Sequence, residues 1–255
     1  RNFVKGAGAA VATAMAAGAA PAAAQPKPVY EIYAAKYAGP FTSKLAFLLF
    51  NQGWDQDIDR YYYIWVVKGP TETILVDTGV GLTVAADRKL KGYVNPIDVA
   101  ARIGVKPTDV TKVVITHMHW DHVGGMEMMP KAYPKATFYV QKREYDFWTK
   151  HPVAKRKIFA GSADPLAYKL MQEMEGSPRL QLVNGDMNIG PGLDIMLGAG
   201  HTIGTQSLAV PTAKGTAVVA SDCGHLARNF KEDTPSMLIT DLIAWMETYD
   251  KVRAK

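Results

Sequence analysis

The chain has 255 residues, of which 48% are hydrophobic, so it is long enough for one large core and shows no glycine or proline excess typical of disorder. Its formal charge of +5 at pH 7 is too mild to indicate a nucleic-acid-binding protein, and no basic stripe with interleaved aromatic residues occurs. The single cysteine, Cys223, excludes an intramolecular disulfide and any metal site built from several cysteines. A metal site in this chain must therefore use histidine and carboxylate ligands.

Residues 1–24 have the features of an export signal. Arg1 and Lys5 precede an uncharged, alanine-rich run over residues 6–20, and the alanines at 22–24 provide a small-residue cleavage site. The opening is similar to the end of a twin-arginine signal, with Arg1 as the second arginine. A membrane anchor or a disordered tail is the alternative, although the run is shorter than the roughly 20 residues that span a bilayer. We expect a bacterial protein, periplasmic or secreted, with no stable membrane insertion after signal removal.

Residues 25–255 are expected to form one catalytic domain in which strands and helices alternate. Strands are predicted at 61–67 and 73–77, joined by a turn that contains glycine and proline. A helix is predicted from Pro96 to Ile103, with Asn95 as its cap. A short apolar strand, 113–115, then leads directly into His117.

The second half of the chain is richer in strands. A strand at 137–141 precedes a helix at 143–149, and residues 150–178 are expected to be mainly helical. Four further strands, separated by glycine turns, are predicted at 180–183, 193–197, 207–210 and 216–220. A helix over 236–252 closes the chain. Sheets flanked by helices indicate a layered α/β architecture, and because hairpins outnumber βαβ units, a doubly wound parallel sheet is the weaker interpretation.

Three imidazoles and a carboxylate lie within six consecutive positions, directly after an apolar strand: His117, His119, Asp121 and His122. Residues two apart leave a strand end on the same side, so His117 and His119 can converge on one cation. The following turn can aim Asp121 and His122 at a neighbouring position. Both ligand types suit zinc and similar divalent ions. A polar surface loop is the alternative, but the whole chain has only six histidines.

The motif His-x-His-x-Asp-His after a strand resembles the signature of the metallo-β-lactamase superfamily, and three further segments match that family in order. Asp77-Thr78-Gly79 is similar to an early turn whose aspartate supports the metal loop from behind. Gly200-His201-Thr202 is similar to the segment that supplies a third histidine, and Ala220-Ser221-Asp222 to the strand end that supplies a bridging aspartate. The resemblance implies a four-layer αββα sandwich.

The same resemblance implies two Zn²⁺ or similar divalent ions and their ligands. It assigns His117, His119 and His201 to the first metal, Asp121 and His122 to the second, and Asp222 to a position between them. Structural roles are the alternatives for three residues: His201 as a core or capping histidine, Asp222 as a turn cap, and Asp77 as the end of a strand with an Asx-turn.

Two such ions can hold a bridging water, lower its pKa and present hydroxide to an acyl carbon, with Asp121 as the proton shuttle. Trp120 within the motif, and the stretch from Gly200 to Leu208, are similar to acyl-homoserine-lactonase-like members, so we expect a small acyl lactone as substrate. Those lactonases often carry a tyrosine where this chain has His225. We expect His225 to orient or protonate the substrate, with an ordinary loop residue as the alternative.

Rival functions use the same site. A β-lactam hydrolase and a glyoxalase-type thioester hydrolase are the first alternatives, and a non-hydrolytic metal-binding or redox protein is a weaker one. Six aromatic residues are candidates for lining an acyl pocket, although aromatic residues at such spacing are more often core residues: Phe41, Trp54, Tyr145, Phe147, Trp148 and Tyr168.

The end of the sequence raises one further expectation. The superfamily completes its second metal with a late histidine, and no histidine follows His225. We therefore expect the natural protein to continue beyond Lys255 and the second metal to be held more weakly in this chain. The alternative is that His225 replaces the late ligand.

Overall fold

The computed structural model describes residues 28–255, so the expected export signal lies outside the described residues. In the described part, ten strands, β1 to β10, comprise Glu31–Lys44, Asp57–Lys68, Thr73–Val76, Val110–Val114, Thr137–Gln141, Leu180–Val183, Met187–Gly190, Leu193–Leu197, Gln206–Thr212 and Gly215–Val219. Eight α-helices, α1 to α8, comprise Leu82–Asp87, Pro96–Arg102, Trp120–Val123, Met129–Ala132, Lys142–Lys150, Pro165–Glu173, Ala227–Lys231 and Leu242–Arg253.

The strands form two sheets. A six-stranded sheet has the order β1 to β6, and a four-stranded sheet has the order β10-β9-β8-β7. β3, β4, β5 and β6 are mutually parallel, whereas β1, β2 and the whole second sheet pair antiparallel. Neighbouring parallel strands have their carboxyl ends at the same edge of a sheet, so the segments that follow β3 and β4 lie next to each other. This edge brings Asp77 next to the segment that contains His117.

The alternation of side chains along the strands creates two cores. Ile74 and Val76 of β3 pack in the cluster between the sheets, which also contains Leu208 of β9. Leu75 points to the opposite face, where Val113 and other strand residues pack against the helices. With α8 on the outer side of the second sheet, where the Lys251 ammonium donates to the Leu197 carbonyl, the layers are helix, sheet, sheet and helix. The αββα sandwich expected from the sequence is confirmed.

Local signals placed several elements correctly. The α2 helix begins at Pro96, and the Asn95 side chain caps it by accepting from the Ile97 N–H at 2.9 Å. The long β1 strand was missed, because its Gly39-Pro40 pair has low strand propensity and the strand is stabilised by pairing with β2. None of the helices in residues 28–255 has the length and apolar character needed to cross a membrane.

The closing helix begins later than predicted. Its first residue is Leu242 rather than Ser236, because the Asp241 carboxylate accepts from the Ala244 N–H at 3.0 Å and caps the helix there. The five residues 236–240 instead run beside the segment that follows β8, where the Thr240 N–H donates to the Gly200 carbonyl at 2.8 Å. There the Leu238 carbonyl lies 3.1 Å from His201 Nδ1. Because α8 begins late, the Leu238 carbonyl is free to accept a hydrogen bond from the outer ring nitrogen of His201, a candidate metal ligand.

Candidate metal centre

The predicted ligands all lie at strand ends on one edge of the sandwich. His117 and His119 are in the extended segment between β4 and α3, and Asp121 and His122 are in the first turn of α3. His201 follows β8, and Asp222 lies in a short 3₁₀ turn, Ser221–Cys223, directly after β10.

One group of three buried imidazoles forms the first donor set. His119 Nδ1 lies 3.1 Å from His117 Nε2 and 3.1 Å from His201 Nε2. The three nitrogens lie within 4.8 Å of one another. A tetrahedral zinc ion with ligand distances of about 2.0–2.1 Å keeps its ligand atoms roughly 3.3 Å apart. The spacing and the chemistry of these donors therefore fit a divalent cation.

The second donor set adjoins the first through Asp222. His122 Nε2 lies 3.5 Å from Asp121 Oδ2 and 3.4 Å from Asp222 Oδ1. The other oxygen of Asp222, Oδ2, lies 3.5 Å from His201 Nε2. The two carboxylate oxygens of Asp222 thus face different donor sets, as a bridging ligand requires. A group of His117, His122 and Asp222 also meets the spacing of a metal site.

Hydrogen bonds to the outer ring nitrogens fix how three of the histidines point. His122 Nδ1–H donates to Asp77 Oδ2 at 2.8 Å, and His201 Nδ1–H donates to the Leu238 carbonyl at 3.1 Å. His117 Nδ1 lies 3.1 Å from Thr116 Oγ1. In the rings of His117 and His201 the inner nitrogen is left with its lone pair towards the centre, which is the arrangement that metal-binding histidines use.

Asp77 lies at the middle of a network that sequence reasoning only partly anticipated. Its carboxylate accepts from the Thr116 N–H at 2.7 Å and from the Thr116 hydroxyl, in addition to His122. Ser221 Oγ lies 2.9 Å from Thr116 Oγ1 and 3.4 Å from Asp77 Oδ2. The network ties the ends of β3, β4 and β10 together. It therefore sets the separation of His122 and Asp222, which follow β4 and β10.

Burial keeps the first donor set uncharged. It lowers the pKa of His119 to about 3 and that of His201 to about 4, and it lowers the pKa of His117 well below the ordinary histidine value. Neighbouring imidazoles act in the same direction on His117 and His119. All three rings are therefore neutral near pH 7, which is the form that binds a metal.

The surroundings of His122 have the opposite effect. Its burial disfavours the imidazolium, but the carboxylates of Asp121, Asp222 and Asp77 outweigh burial and raise its pKa well above the ordinary value. Several carboxylates around a buried histidine make this position strongly attractive to positive charge. In that respect the second donor set also fits a cation.

His225 points towards the two donor sets. Its Nε2 lies 3.1 Å from Asp222 Oδ2, the oxygen that also faces His201, and its Nδ1 is buried with no hydrogen-bond partner in residues 28–255. The ring is on the side of Asp222 away from His122, whose Nε2 faces Oδ1. This geometry places His225 beside the centre and on the wall of the neighbouring cavity.

Glu144 is a buried residue at the site that sequence reasoning missed. One of its carboxylate oxygens accepts from the Met118 N–H at 3.1 Å and from the Trp148 indole at 2.8 Å. The other accepts from the Gly204 N–H at 2.9 Å. Burial raises the pKa of Glu144, although these N–H donors oppose that change. Glu144 thus joins the segment of His117 and His119 to that of His201.

A cavity of about 820 Å³ opens beside Asp121, His122 and Asp222. Its wall is formed by one long strand, β2, by the end of β10 and by residues 224–230. Among the described residues, the aromatic side chains that line it are Tyr37, Tyr61, Tyr62, Tyr63, Trp65 and Phe230. The volume is within the range of small-molecule sites.

The six aromatic residues suggested by the sequence for this role were the wrong ones, since none of them is among the described residues that line the cavity. Trp148 packs against His119 with ring centroids 5.5 Å apart, and the Tyr168 hydroxyl donates to the Met118 carbonyl at 2.8 Å. These rings support the metal loop from behind. Sequence spacing does not show which side of a loop an aromatic ring will cover.

Sequence comparisons identify related proteins. The profile of the metallo-β-lactamase superfamily matches residues 58–244. An N-acyl homoserine lactonase of Bacillus cereus is 24% identical over 189 residues, which is 68% of this chain and 67% of that protein. An N-acyl homoserine lactonase of Azorhizobium caulinodans is 24% identical over 239 residues, which is 85% of each chain.

Solved structures share the architecture. An N-acyl homoserine lactone hydrolase with the product N-hexanoyl-L-homoserine at its catalytic metal centre aligns with a TM-score of 0.69 at 17% identity, covering 89% of this chain and 88% of that one. A dizinc quorum-quenching lactonase in complex with a product aligns with a TM-score of 0.66 at 20% identity, covering 88% and 85%. At such identities the likeness concerns the fold.

Proposed function

This chain belongs to the metallo-β-lactamase superfamily of hydrolases, and from that membership we propose that it opens the ring of an acyl lactone at a centre of two divalent ions. The observation that carries the proposal is the pair of adjacent donor sets joined by Asp222, which lie at the end of a cavity large enough for a small acyl compound. The lactonases among its relatives point to the lactone.

The chain supplies the ligands in two groups. His117, His119 and His201 would hold the first ion, and Asp121 with His122 would hold the second, with Asp222 between them. When bound, the ions supply Lewis acidity, which polarises the scissile carbonyl and lowers the pKa of water towards neutrality.

Asp121 is positioned to move a proton. Its carboxylate lines the cavity, and its backbone carbonyl accepts a hydrogen bond from the Tyr37 hydroxyl at 2.8 Å, which fixes the first turn of α3. A carboxylate held at the cavity wall can accept a proton from water and return it to the leaving oxygen.

His225 would contact the substrate. Its imidazole lies on the cavity wall and is held by Asp222, which accepts from Nε2–H. Because the neutral ring has a single N–H, this group would turn from Asp222 to an oxygen of the bound lactone and so orient the ring ester.

Parallel assays test the proposal. Zinc-loaded protein is given a short-chain and a long-chain acyl homoserine lactone, a cephalosporin and a glutathione thioester, with His119→Ala as the inactive control. We expect the highest kcat/KM for one of the lactones. A higher value for the cephalosporin or the thioester would replace the lactonase assignment with that activity, and turnover of none of the four would favour a non-hydrolytic protein.

A further inference from the structure

The side chain of Arg60 lines the cavity, and its positive charge is not paired with an acidic side chain of residues 28–255. It is the only lysine or arginine among the described residues that line the cavity, and its Nε is buried with no hydrogen-bond partner. Within residues 28–255, no hydrogen bond or ion pair joins its guanidinium to another side chain. Leaving a buried donor unpaired is costly, so this N–H group requires a partner that residues 28–255 do not supply.

The β2 strand determines where Arg60 lies in the cavity. Side chains two apart share a face of a strand, and Ile58, Arg60 and Tyr62 are the less exposed residues of this part of β2. The Tyr62 ring lies 5.6 Å from that of Trp120, the residue before Asp121. Arg60 lies one step further out, roughly 7 Å from Tyr62 along the strand. Arg60 is thus remote from the donor sets but lines the same cavity.

Phe41 holds the guanidinium in place. The guanidinium carbon lies 4.8 Å from the centroid of the Phe41 ring, and that ring lies 6.5 Å from the ring of Tyr62. A guanidinium stacked on an aromatic ring keeps its N–H groups in one plane and free for a ligand. Phe41 therefore orients Arg60 without using any of its hydrogen-bond donors.

The acidic groups of the cavity have other partners. Asp77 accepts from His122 and Thr116, and Asp121 and Asp222 belong to the second donor set. Asp59, the neighbour of Arg60 in sequence, is exposed on the alternate position of the strand and accepts from the Thr42 hydroxyl at 2.6 Å. The cation of Arg60 therefore remains available to a ligand.

We propose that Arg60 is a specificity-determining residue that binds a carboxylate of the substrate, remote from the scissile carbonyl. A planar guanidinium pairs with a carboxylate through two parallel hydrogen bonds, which favours an anion over a neutral group. The identity of the reaction rests on the proposed lactonase function, whereas the contact with a carboxylate does not. The preferred substrate is thus a lactone whose acyl group ends in a carboxylate.

Binding of two matched probes tests this contact. The probes are N-acyl γ-lactams of equal chain length, one with a terminal carboxylate and one with a terminal methyl group, and calorimetry with the zinc-loaded protein gives their Kd values. We expect the carboxylate probe to bind roughly 10- to 100-fold more tightly, and Arg60→Gln to remove that preference while the methyl probe binds as before. Arg60→Lys should retain only part of the preference, because lysine keeps the positive charge but lacks the planar pair of N–H donors that binds both carboxylate oxygens.

The control is Arg88→Gln. Arg88 also stacks on an aromatic ring, with its guanidinium carbon 4.0 Å from the Trp120 centroid, but it does not line the cavity. Its replacement should leave the preference intact, and zinc content and near-ultraviolet circular dichroism report whether each variant is folded. Equal Kd values for the two probes with the parent protein, or a preference that survives in Arg60→Gln, would overturn the assignment. If no lactone is hydrolysed but the preference depends on Arg60, the lactonase proposal fails and the carboxylate site stands.

Discussion

At the scale of single residues, the candidate centre depends on groups that hold the proposed ligands from behind. Glu144 is fully buried and accepts hydrogen bonds from Met118, Trp148 and Gly204, which belong to three separate segments. A carboxylate is suited to this position because all of the groups that face it are donors. Glu144 is therefore a positioning residue that keeps the two segments that carry candidate metal ligands at a fixed distance.

Glu144→Gln is predicted to weaken the centre and the fold together. The amide nitrogen of glutamine would face another N–H donor and leave it unpaired, at a cost of about 1–3 kcal/mol. We expect a Tm lower by roughly 2–10 °C and a weaker affinity for zinc, measured by competition with a chelator. Glu175→Gln is the control, since Glu175 is a surface carboxylate that pairs with Lys150. Unchanged zinc affinity in Glu144→Gln would show that Glu144 has only a structural role.

His201→Ala is predicted to abolish hydrolysis. The substitution removes one of three imidazoles of the first donor set, and with it Lewis-acid catalysis worth several kcal/mol, so kcat should fall at least ~1000-fold. His151→Ala is the matched control, because the Nδ1 of this exposed histidine accepts from the Val153 N–H in a loop. Parent-level turnover in folded His201→Ala would disprove the proposed centre.

His225→Ala is predicted to lower kcat without releasing metal. The loss of one hydrogen-bond donor to the substrate should reduce turnover by roughly 10- to 1000-fold. Metal content, measured after gel filtration, should remain that of the parent protein. Turnover within twofold of the parent would assign His225 to the loop, and a loss of metal would assign it to the ligands.

At the scale of elements, the segment after β8 packs in close van der Waals contact with helix α8. Gly200 has a φ of +144°, and a Cβ at this position would lie 2.4 Å from the Cβ of Trp245 and 2.7 Å from its Cα. The Gly200 carbonyl also accepts from the Thr240 N–H at 2.8 Å. Because His201 is the next residue, the approach of α8 helps to set where this imidazole lies.

Gly200→Ala is therefore predicted to destabilise both the fold and the first donor set. Overpacking against α8 costs about 1–3 kcal/mol and the backbone strain adds to it, so Tm should fall by roughly 4–12 °C. Gly176→Ala is the control, because Gly176 also has a positive φ, +81°, but nothing lies within 4 Å of its added Cβ. Thermal unfolding of the two variants separates the contact from the strain. Equal losses of Tm would show that the contact with α8 contributes nothing.

At the scale of the whole molecule, the centre joins the two sheets. Asp77, His117 and Asp121 follow strands of the first sheet, whereas His201 and Asp222 follow strands of the second. An ion held by ligands from both sheets therefore binds only the folded protein. Without an ion, buried imidazoles and carboxylates face one another at the same place.

Zinc is predicted to raise the stability of the entire domain. At a free zinc concentration 1000 times Kd, linkage adds about 4 kcal/mol to the free energy of unfolding, which corresponds to a Tm higher by roughly 8–16 °C. We expect about one ion per chain to survive dialysis against a mild chelator, because among residues 28–255 the second donor set consists of Asp121, His122 and the shared Asp222. Scanning calorimetry and metal analysis provide these values, with His119→Ala as the control. An equal Tm with and without zinc would contradict the prediction.

The amino-acid sequence by itself determined the motif around His117, the order of most strands and helices and a layered α/β architecture. These features are local or follow from the order of local signals: an apolar strand before a histidine cluster, glycine turns, and the Asn95 cap of α2. The resemblance to a known family then implied the αββα order of the layers and assigned His201 and Asp222 as partners of the cluster. Neither the local signals nor the family resemblance depends on knowing the distance in space between residues that are far apart in the chain.

Only the tertiary structure identified Glu144 as a buried residue that supports the candidate centre and Arg60 as a residue that lines the cavity. Glu144 contacts Gly204, 60 residues later in the chain, and Thr116 contacts Ser221, 105 residues later. Arg60 belongs to the cavity because β2 passes beside residues from 217 to 230. A sequence pattern reports periodicity and turns over a few residues. Which polar group closes a buried network, and which side chain is left unpaired, depends on how distant strands pack, and so only the folded chain shows it.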